Sequence, residues 1–357
     1  MINQKEISIE WITKVSKANR NVDKILVEKV IRALLLVEGL VKQKLPFIFK
    51  GGTALMLHFN TTKRLSIDID IVLPSRLLNL ETILEQVAKK QGFSQIEIQN
   101  RSRTSKIFKE HYKFYYSPHH KTKKEQEFIL LDLVYEEINY DRLISIPIQS
   151  SFIPIKGKPL TVKTPCFEGI LGDKLTAFAP NTTGIPYFKK EDSMSMEIIK
   201  QMYDIGNLFD VVDDLKIIKS TFYRFAKAEL TYRNLIGVNE DDVLEDILQT
   251  ALCLVSKGAL GKGKFEQLSQ GIRRVSGFIF SESFHLEKAI AYASKAAYLS
   301  SLILKDVEFL EKFKDPLEIK DWFITDPNYN KLNKLKKHNP EAFYYWYKIF
   351  QLKSIKI

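Results

Sequence analysis

The stretch that decides the fold is FIFKGGTALMLHFNTTKRLSIDIDIVL, residues 47–73. It opens with a short apolar run, reaches a Gly-Gly-Thr turn at 51–53, and continues through a segment at 54–59 that favours a short helix. Over residues 64–71 polar and apolar side chains alternate strictly, which is typical of a β-strand with one buried face. The stretch therefore predicts strand, turn, helix and strand, in that order.

Two carboxylates share one face of the second strand. Because side chains alternate along a strand, Ser66, Asp68 and Asp70 lie on one face and the apolar residues between them on the other. Neighbouring ionised carboxylates repel each other, and a cation between them relieves that repulsion. Carboxylate oxygens, water and phosphate form the ligand set of Mg²⁺, so the pattern indicates a site for Mg²⁺ or Mn²⁺. An exposed edge strand with solvated acids is the alternative.

The glycine pair fits the other half of such a site. Glycine lets the backbone approach a phosphate closely, and the N–H groups at the start of a helix attract anions. We therefore expect Gly51 and Gly52 to contact phosphates, with the Thr53 hydroxyl as a further hydrogen-bond donor.

The combined pattern GGT…RLSIDID resembles nucleotidyltransferases with the polymerase-β-like fold, in particular their AbiEii/AbiGii toxin family, which includes the MenT-like toxins. In its commonest form that family has a Gly-Gly-Thr/Ser turn, an Arg-x-Ser-x-Asp-x-Asp strand, a lysine on a later helix and a late aspartate. The resemblance spans about residues 45–210. It implies an α/β (α+β) fold, with a mixed sheet flanked by helices and an all-α C-terminal domain. It also implies transfer of a nucleotide from an NTP to an acceptor.

A third acid lies in the run EFILLDLVYE, residues 127–136. The run is apolar on both sides of Asp132, as expected for a central strand covered on both faces, where an unpaired carboxylate is costly. By resemblance, Asp132 joins Asp68 and Asp70 as a metal ligand and takes the proton from the acceptor hydroxyl. An aspartate at the solvent end of the strand is the alternative.

Two later helices carry the other catalytic residues that the resemblance implies. The helix expected at 165–178 contains Lys174, which would bind phosphate and offset charge on the leaving pyrophosphate. The helix expected at 196–209 contains Lys200 and Asp204 one turn apart, and Asp204 matches the late aspartate needed for activity. A surface ion pair of about 0.3–0.5 kcal/mol is the alternative for these two residues.

The resemblance assigns supporting roles as well. Arg64 and Ser66 would brace the catalytic strand or bind the triphosphate. Many family members place an arginine soon after the lysine helix, but the loop at 179–190 contains none. Lys189 or Lys190 would have to substitute for it, or the contact is absent.

The chain of 357 residues is long enough for two domains. We expect a nucleotidyltransferase domain over residues 1–185 and a helical domain over 186–357, with the active site in the cleft between them. A break is expected at 271–277. Helices are expected at 6–17, 22–42 (with Asn21 as N-cap), 77–91, 213–229, 241–257, 264–269, 283–304, 306–314 and 341–351.

The net charge of +11 favours a polyanionic partner, although it also serves solubility. Basic residues alternate with aromatic ones at 101–124, which predicts either an RNA-binding surface or a β-hairpin with a solvated turn. The lysine-rich tail at 331–357 contains five consecutive aromatic residues, 343–347, that could stack on bases or dock the last helix. We favour docking, because large aromatic side chains are most often buried.

The distant pair Cys166 and Cys253 argues against a disulfide framework, and neither a secretory leader nor a membrane-spanning run is visible. We therefore expect a cytoplasmic protein. The resemblance implies an NTP substrate, an RNA acceptor such as a tRNA end, and a separate antitoxin. Two rival functions remain, namely a catalytically degenerate nucleic-acid-binding module and a small-molecule nucleotidyltransferase of the antibiotic-modifying type. The positive net charge disfavours the second rival, whose cationic acceptor calls for an acidic cleft.

Overall fold

The computed structural model describes residues 1–59, 63–99, 108–120 and 125–354, except for the side chains of Phe108 and Ser354. By its internal contacts the chain divides into two units. The sheet unit comprises Met1–Cys166 and Gly277–Ser283, and the helical unit comprises Phe167–Ser276 and Phe284–Ile357. The first break thus precedes the lysine-bearing helix, whereas we expected that helix in the N-terminal domain.

The sheet unit contains a five-stranded sheet in the order β1-β2-β5-β4-β3, together with a β6-β7 hairpin. Strands β2 and β5 are parallel and the other neighbours are antiparallel, so the predicted mixed sheet is confirmed. The elements are α1 (Ile9–Ala18), α2 (Lys24–Lys42), β1 (Ile48–Lys50), α3 (Gly51–His58), β2 (Ile69–Leu73), α4 (Leu80–Gln91), β3 (Gln95–Ile98), β4 (Phe108–Tyr116), β5 (Glu127–Tyr135), β6 (Leu143–Pro147) and β7 (Thr161–Pro165).

Helix ends follow capping chemistry. Helix α2 begins after Asp23, whose carboxylate accepts hydrogen bonds from the backbone N–H groups of Ile25 and Leu26. The prediction that Asn21 caps α2 was wrong, because Asn21 lies in a left-handed turn with φ 56°. The C-cap expected at Gly92 is confirmed by its φ of 76°, although α4 begins at Leu80 rather than near residue 77.

One face of the sheet is more deeply buried than the other. In β5, Ile129, Leu131 and Leu133 are buried, while the residues between them, Asp132 included, are only half-buried. We expected β5 to be covered on both faces; the structure covers one face fully and the other only in part. The half-open face is the one that carries the acids, so the sheet leaves them accessible.

The hairpin interpretation of the basic segment is confirmed for its described part, since β4 pairs with β5 along its length. Tyr112, Phe114 and Tyr116 are buried on the core face of β4 and are not available to stack on RNA bases. Their spacing of two residues explains this, because every second side chain of a strand points the same way. The basic residues at 101–107 and 121–124 lie outside the described residues.

The regular secondary structure in the described part of the helical unit is helical apart from one short hairpin, β8-β9. Its elements are α5 (Phe167–Ala177), β8 (Phe188–Lys189), β9 (Asp192–Ser193), α6 (Ser195–Phe209), α7 (Leu215–Tyr232), α8 (Glu240–Val255), α9 (Phe265–Val275), α10 (Leu286–Leu304), α11 (Leu335–His338) and α12 (Pro340–Ser354). Helix α10 is almost wholly buried and packs against α6, α8 and α12.

Two predictions about this unit were wrong. Helix α9 runs through Gly271, where we expected a break. The glycine lets α9 pack closely on α6, since an added Cβ would lie 2.7 Å from Ile199 Cγ1. The segment at 306–314 is not a helix: Asp306 adopts φ 51°, which ends α10. Lys312 then ties the segment to the backbone oxygen of Val212.

The preferred interpretation of the aromatic tail is confirmed. The residues Phe343 to Trp346 are buried, and the Trp346 Nε1–H donates to Ser294 Oγ at 2.9 Å. The ring of Tyr345 lies edge-on to Phe209 at 5.1 Å between centroids, so these aromatic residues anchor α12 to the helical core. None of the helices within the described residues combines the length and apolarity needed to span a bilayer.

Candidate active site

Four residues with charged or titratable side chains form a row across the sheet. Strand pairing sets Lys50 opposite Asp70, Asp70 opposite Asp132, and Asp132 opposite His111. Residues paired in this way lie on one face, on strands about 4.8 Å apart. The structure therefore places the two acids side by side, and Asp132 is in the interior of its strand rather than at its solvent end.

Asp68 lies just before β2, which begins at Ile69 rather than at Arg64 as predicted. The predicted alternation holds only in part: Leu65 and Ile69 are fully buried and Asp68 is exposed, but Arg64 is buried as well. Asp68 is fixed through its backbone, because its carbonyl oxygen accepts a hydrogen bond of 2.6 Å from Thr53 Oγ1.

Gly51 makes room for the Asp70 carboxylate. A Cβ added at Gly51 would overlap Asp70 Oδ2 and lie 2.9 Å from Asp70 Cγ. Gly51 also has φ 79°, a conformation that L-residues adopt only at a cost. Only glycine therefore satisfies both the backbone and the space at the start of α3.

Gly52 is enclosed by two other residues of the motif. An added Cβ would lie 2.6 Å from Ser66 Oγ and 2.8 Å from Arg64 Nη2. Arg64 is buried, and its Nη1 donates to the carbonyl of Leu65 at 3.1 Å. In this geometry Arg64 and Ser66 brace the turn against the strand.

Thr53 is fully buried, and the single proton of its hydroxyl is used in the bond to Asp68. That proton is therefore not available to a phosphate in this conformation. The structure places Thr53 as a residue that holds the backbone of Asp68, and its phosphate contact stays a prediction.

The sequence analysis missed two residues of this row, Lys50 and His111. The Nδ1 of His111 lies 2.6 Å from Asp132 Oδ1, and both side chains are largely covered. Because a carboxylate only accepts hydrogen bonds, Nδ1 is the donor. The signal lies in the register of β4 against β5, which a single sequence does not reveal.

The donor set fits Mg²⁺ by its chemistry, since Asp70 and Asp132 supply carboxylates on one sheet face and Asp68 is an exposed carboxylate just before β2. Their side chains are not drawn together, however. Within the described ranges, no three Asp, Glu, His or Cys side chains converge as an ion-binding group. Asp132 is engaged by His111 and Asp70 packs against Gly51, so binding an ion would require these carboxylates to turn.

In the helical unit, Lys174 and Asp204 form a buried ion pair. Lys174 Nζ lies 2.7 Å from Asp204 Oδ2, and the two side chains are 8% and 5% exposed. Gln201 Oε1 accepts a second hydrogen bond from the same ammonium group at 3.1 Å. The alternative of a solvated surface pair for Asp204 is thus wrong. Lys200 contacts Glu197 at 2.9 Å.

Close packing positions Lys174. A Cβ at Gly172 would lie 2.7 Å from the carbonyl oxygen of Ile218, so α5 and α7 nearly touch at this glycine. Asn181 lies in the loop that follows α5. Its backbone and side-chain N–H groups donate hydrogen bonds to the buried carboxylate of Asp246 on α8. Burial raises the pKa of Asp246. The contacts of Asp246 fix the loop that leads to the exposed Lys189 and Lys190.

Solved structures are similar to this chain. MenT4, a nucleotidyltransferase toxin from Mycobacterium tuberculosis, is 12% identical, with a TM-score of 0.51 over 83% of this chain and 90% of MenT4. JHP933 from Helicobacter pylori is 15% identical, with a TM-score of 0.41 over 78% of this chain and 91% of JHP933. At such low identity the likeness to MenT4 concerns the fold alone. No curated protein matches the sequence significantly.

Residues 34–272 match the family model described as "Nucleotidyl transferase AbiEii toxin, Type IV TA system". The match covers more than half of the chain and includes both the acid row of the sheet unit and the Lys174–Asp204 pair of the helical unit. The chain therefore belongs to the AbiEii family of nucleotidyltransferase toxins of type IV toxin–antitoxin systems.

Proposed function

We propose that this protein transfers a nucleotide from an NTP to an RNA acceptor, and that the acid row of the sheet unit is the centre of the reaction. The observation that carries the proposal is the pairing of Asp70 with Asp132 beside the Gly51-Gly52 turn, in a chain of a nucleotidyltransferase family. The proposed toxin role follows from the same family and implies a cognate antitoxin.

Asp68, Asp70 and Asp132 are the residues that would hold Mg²⁺ or Mn²⁺. When bound, divalent ions stabilise the attacking and leaving oxygens of an in-line displacement. Asp132 takes the proton of the acceptor hydroxyl. The His111 bond engages Oδ1 of Asp132, so Oδ2 is the oxygen left for the ion or for that proton.

The start of α3 is the proposed phosphate site. The first N–H groups of a helix have no partner within the helix and attract anions. Because Asp70 packs against Gly51, a phosphate at this turn would lie beside the metal ligands. Arg64 and Ser66 pack against Gly52 and so support the turn.

Lys174 is proposed to offset negative charge on the leaving pyrophosphate. Its ammonium group is held by Asp204 and Gln201, so its position is set before a nucleotide binds. Asp204 would then act by orienting Lys174 rather than by contacting the nucleotide.

A basic groove in the helical unit supports an RNA acceptor, such as a tRNA end. The groove has a volume of about 620 Å³, and no acid lies among its lining residues. Lys320, Lys334 and Lys337 are exposed there and form no ion pair with any described acid. Cations without acidic partners suit a phosphodiester backbone, which binds by releasing counterions.

The test is incubation with each labelled NTP and Mg²⁺, with and without total tRNA. The wild type and the exposed-acid control Glu85→Gln should label RNA, whereas Asp70→Asn should label nothing while remaining folded. NTP binding without transfer would favour the degenerate binding module. Transfer to a small molecule but not to RNA would favour the antibiotic-modifying type and refute the RNA acceptor.

A further inference from the structure

A segment from the C-terminal half of the chain completes the sheet unit next to the acids. Residues 277–283, here called the strap, connect α9 to α10 but belong to the sheet unit. Arg64 forms an isolated antiparallel bridge with Ile279, and the Leu65 N–H donates to the carbonyl of Phe278 at 2.8 Å. The strap thus pairs with the residues that lead directly into Asp68.

Side chains fix the strap in place. Phe278 and Phe280 pack against the core of the sheet unit, and the Phe280 ring meets Phe152 edge-on at 5.8 Å between centroids. Ile279 is buried, and Ser281 Oγ donates to the carbonyl of Lys63 at 2.7 Å. The strap is therefore an integral part of the sheet unit rather than a loop lying over its surface.

The segment held by the strap is the weakly paired part of the motif. Residues 65–68 precede β2 and lie outside its ladders with β1 and β5. Thr53 holds this segment at Asp68, and the strap holds it at the other end. Backbone with few ladder bonds opens locally at low free-energy cost, so these contacts decide how well it is ordered.

We propose that the strap is a positioning element for the nucleotide site. It orders residues 63–68 and thereby sets Asp68 beside Asp70 and the Arg64 guanidinium behind Gly52. The inference rests on the proposed function for the chemistry that is positioned. The strap lies beyond residue 272, where the match to the family model ends.

The test uses variants that loosen the strap without touching a proposed site residue. Ser281→Ala removes the hydrogen bond to Lys63, whereas Ser281→Thr keeps a hydroxyl donor. Phe280→Ala removes the aromatic anchor, whereas Phe280→Leu keeps an apolar one. Ser276→Ala is the matched control, because Ser276 caps its own helix outside the strap.

We expect hydrogen exchange of the 63–70 peptide to quicken about tenfold in Ser281→Ala and more in Phe280→Ala, with α2 still protected. Affinity for Mn²⁺ with NTP should fall, and KM for NTP should rise about five- to tenfold with a smaller change in kcat. Ser281→Thr, Phe280→Leu and Ser276→Ala should stay close to wild type.

Two results would overturn the proposal: unchanged exchange at 63–70, or faster exchange with unchanged Mn²⁺–NTP affinity. If Phe280→Ala does not fold, the comparison of Ser281→Ala with Ser281→Thr tests the proposal. A wild type that binds Mn²⁺ and NTP but transfers nothing refutes the proposed function and leaves the strap testable by binding. A wild type that binds neither overturns both.

Discussion

Gly51→Ala is the sharpest test of the site geometry. The change places a side chain at φ 79°, which costs about 1–2 kcal/mol for an L-residue. The new Cβ would also overlap the Asp70 carboxylate, whose Cγ would lie only 2.9 Å away. Turning Asp70 out of its rotamer adds about 0.5–1.5 kcal/mol.

Alanine also reduces the conformational entropy of the unfolded chain, which offsets about 0.4–1 kcal/mol of this loss in unfolding free energy. The expected net loss in unfolding free energy is therefore about 0.5–3 kcal/mol. Gly157→Ala is the matched control. Gly157 lies in the same unit with φ 69°, but no atom lies within 4 Å of an added Cβ. This control measures the backbone cost alone, so the difference between the two variants isolates the clash with Asp70.

The assay is urea unfolding of both variants, with hydrogen exchange of α3 and β2 to localise the effect and Mn²⁺ titration to measure the site. Gly51→Ala should lose more stability than Gly157→Ala and most of its Mn²⁺ affinity, whereas Gly157→Ala should keep that affinity. Equal destabilisation of the two variants, or wild-type Mn²⁺ binding by Gly51→Ala, would refute the packing of Asp70 against this glycine.

Three further outcomes are expected. Lys174→Ala should abolish transfer and lower the free energy of unfolding by about 3–5 kcal/mol, because it removes the cation paired with the buried Asp204. Lys174→Arg should restore transfer only in part. Unfolding measurements and kinetics test both variants. Burial lowers the pKa of His58 from 6.5 to about 4, so unfolding free energy should fall by about 2–3 kcal/mol as pH drops from 6.5 to 4, and His58→Gln should flatten that profile. Lys334→Ala should reduce the slope of log RNA affinity against log salt by about 0.7, with Lys227→Ala unchanged.

The sequence predicted the parts of the site that depend on local periodicity. Alternation at 64–71 separates buried from accessible side chains, and the structure shows this separation at Leu65, Asp68 and Ile69. The run around Asp132 predicted a strand, and the family pattern predicted that this strand lies beside Asp70. These features are readable because a period of two residues leaves a strong signal in a short window.

The remaining features depend on contacts that leave no local trace. His111 meets Asp132 only because of the β4–β5 register, and the strap reaches Leu65 from a distant part of the chain. The pair formed by Lys174 and Asp204 depends on how α5 packs against α6. Each of these contacts is fixed by tertiary packing, and a single sequence does not reveal it.

The geometry also explains why the two halves of the motif occur together. Successive residues of the turn meet residues of β2 and of the segment just before it: Gly51 meets Asp70, Gly52 meets Ser66 and Arg64, and Thr53 meets the backbone of Asp68. Each glycine is small because a specific motif side chain occupies the space that a Cβ would need. The turn and the acidic segment are therefore one packing unit, which is why the GGT turn and the RLSIDID segment occur together. In this protein Gly51 makes room for the Asp70 carboxylate and Gly52 for Ser66 and Arg64, and any phosphate contact is added to a turn that these side chains have already shaped.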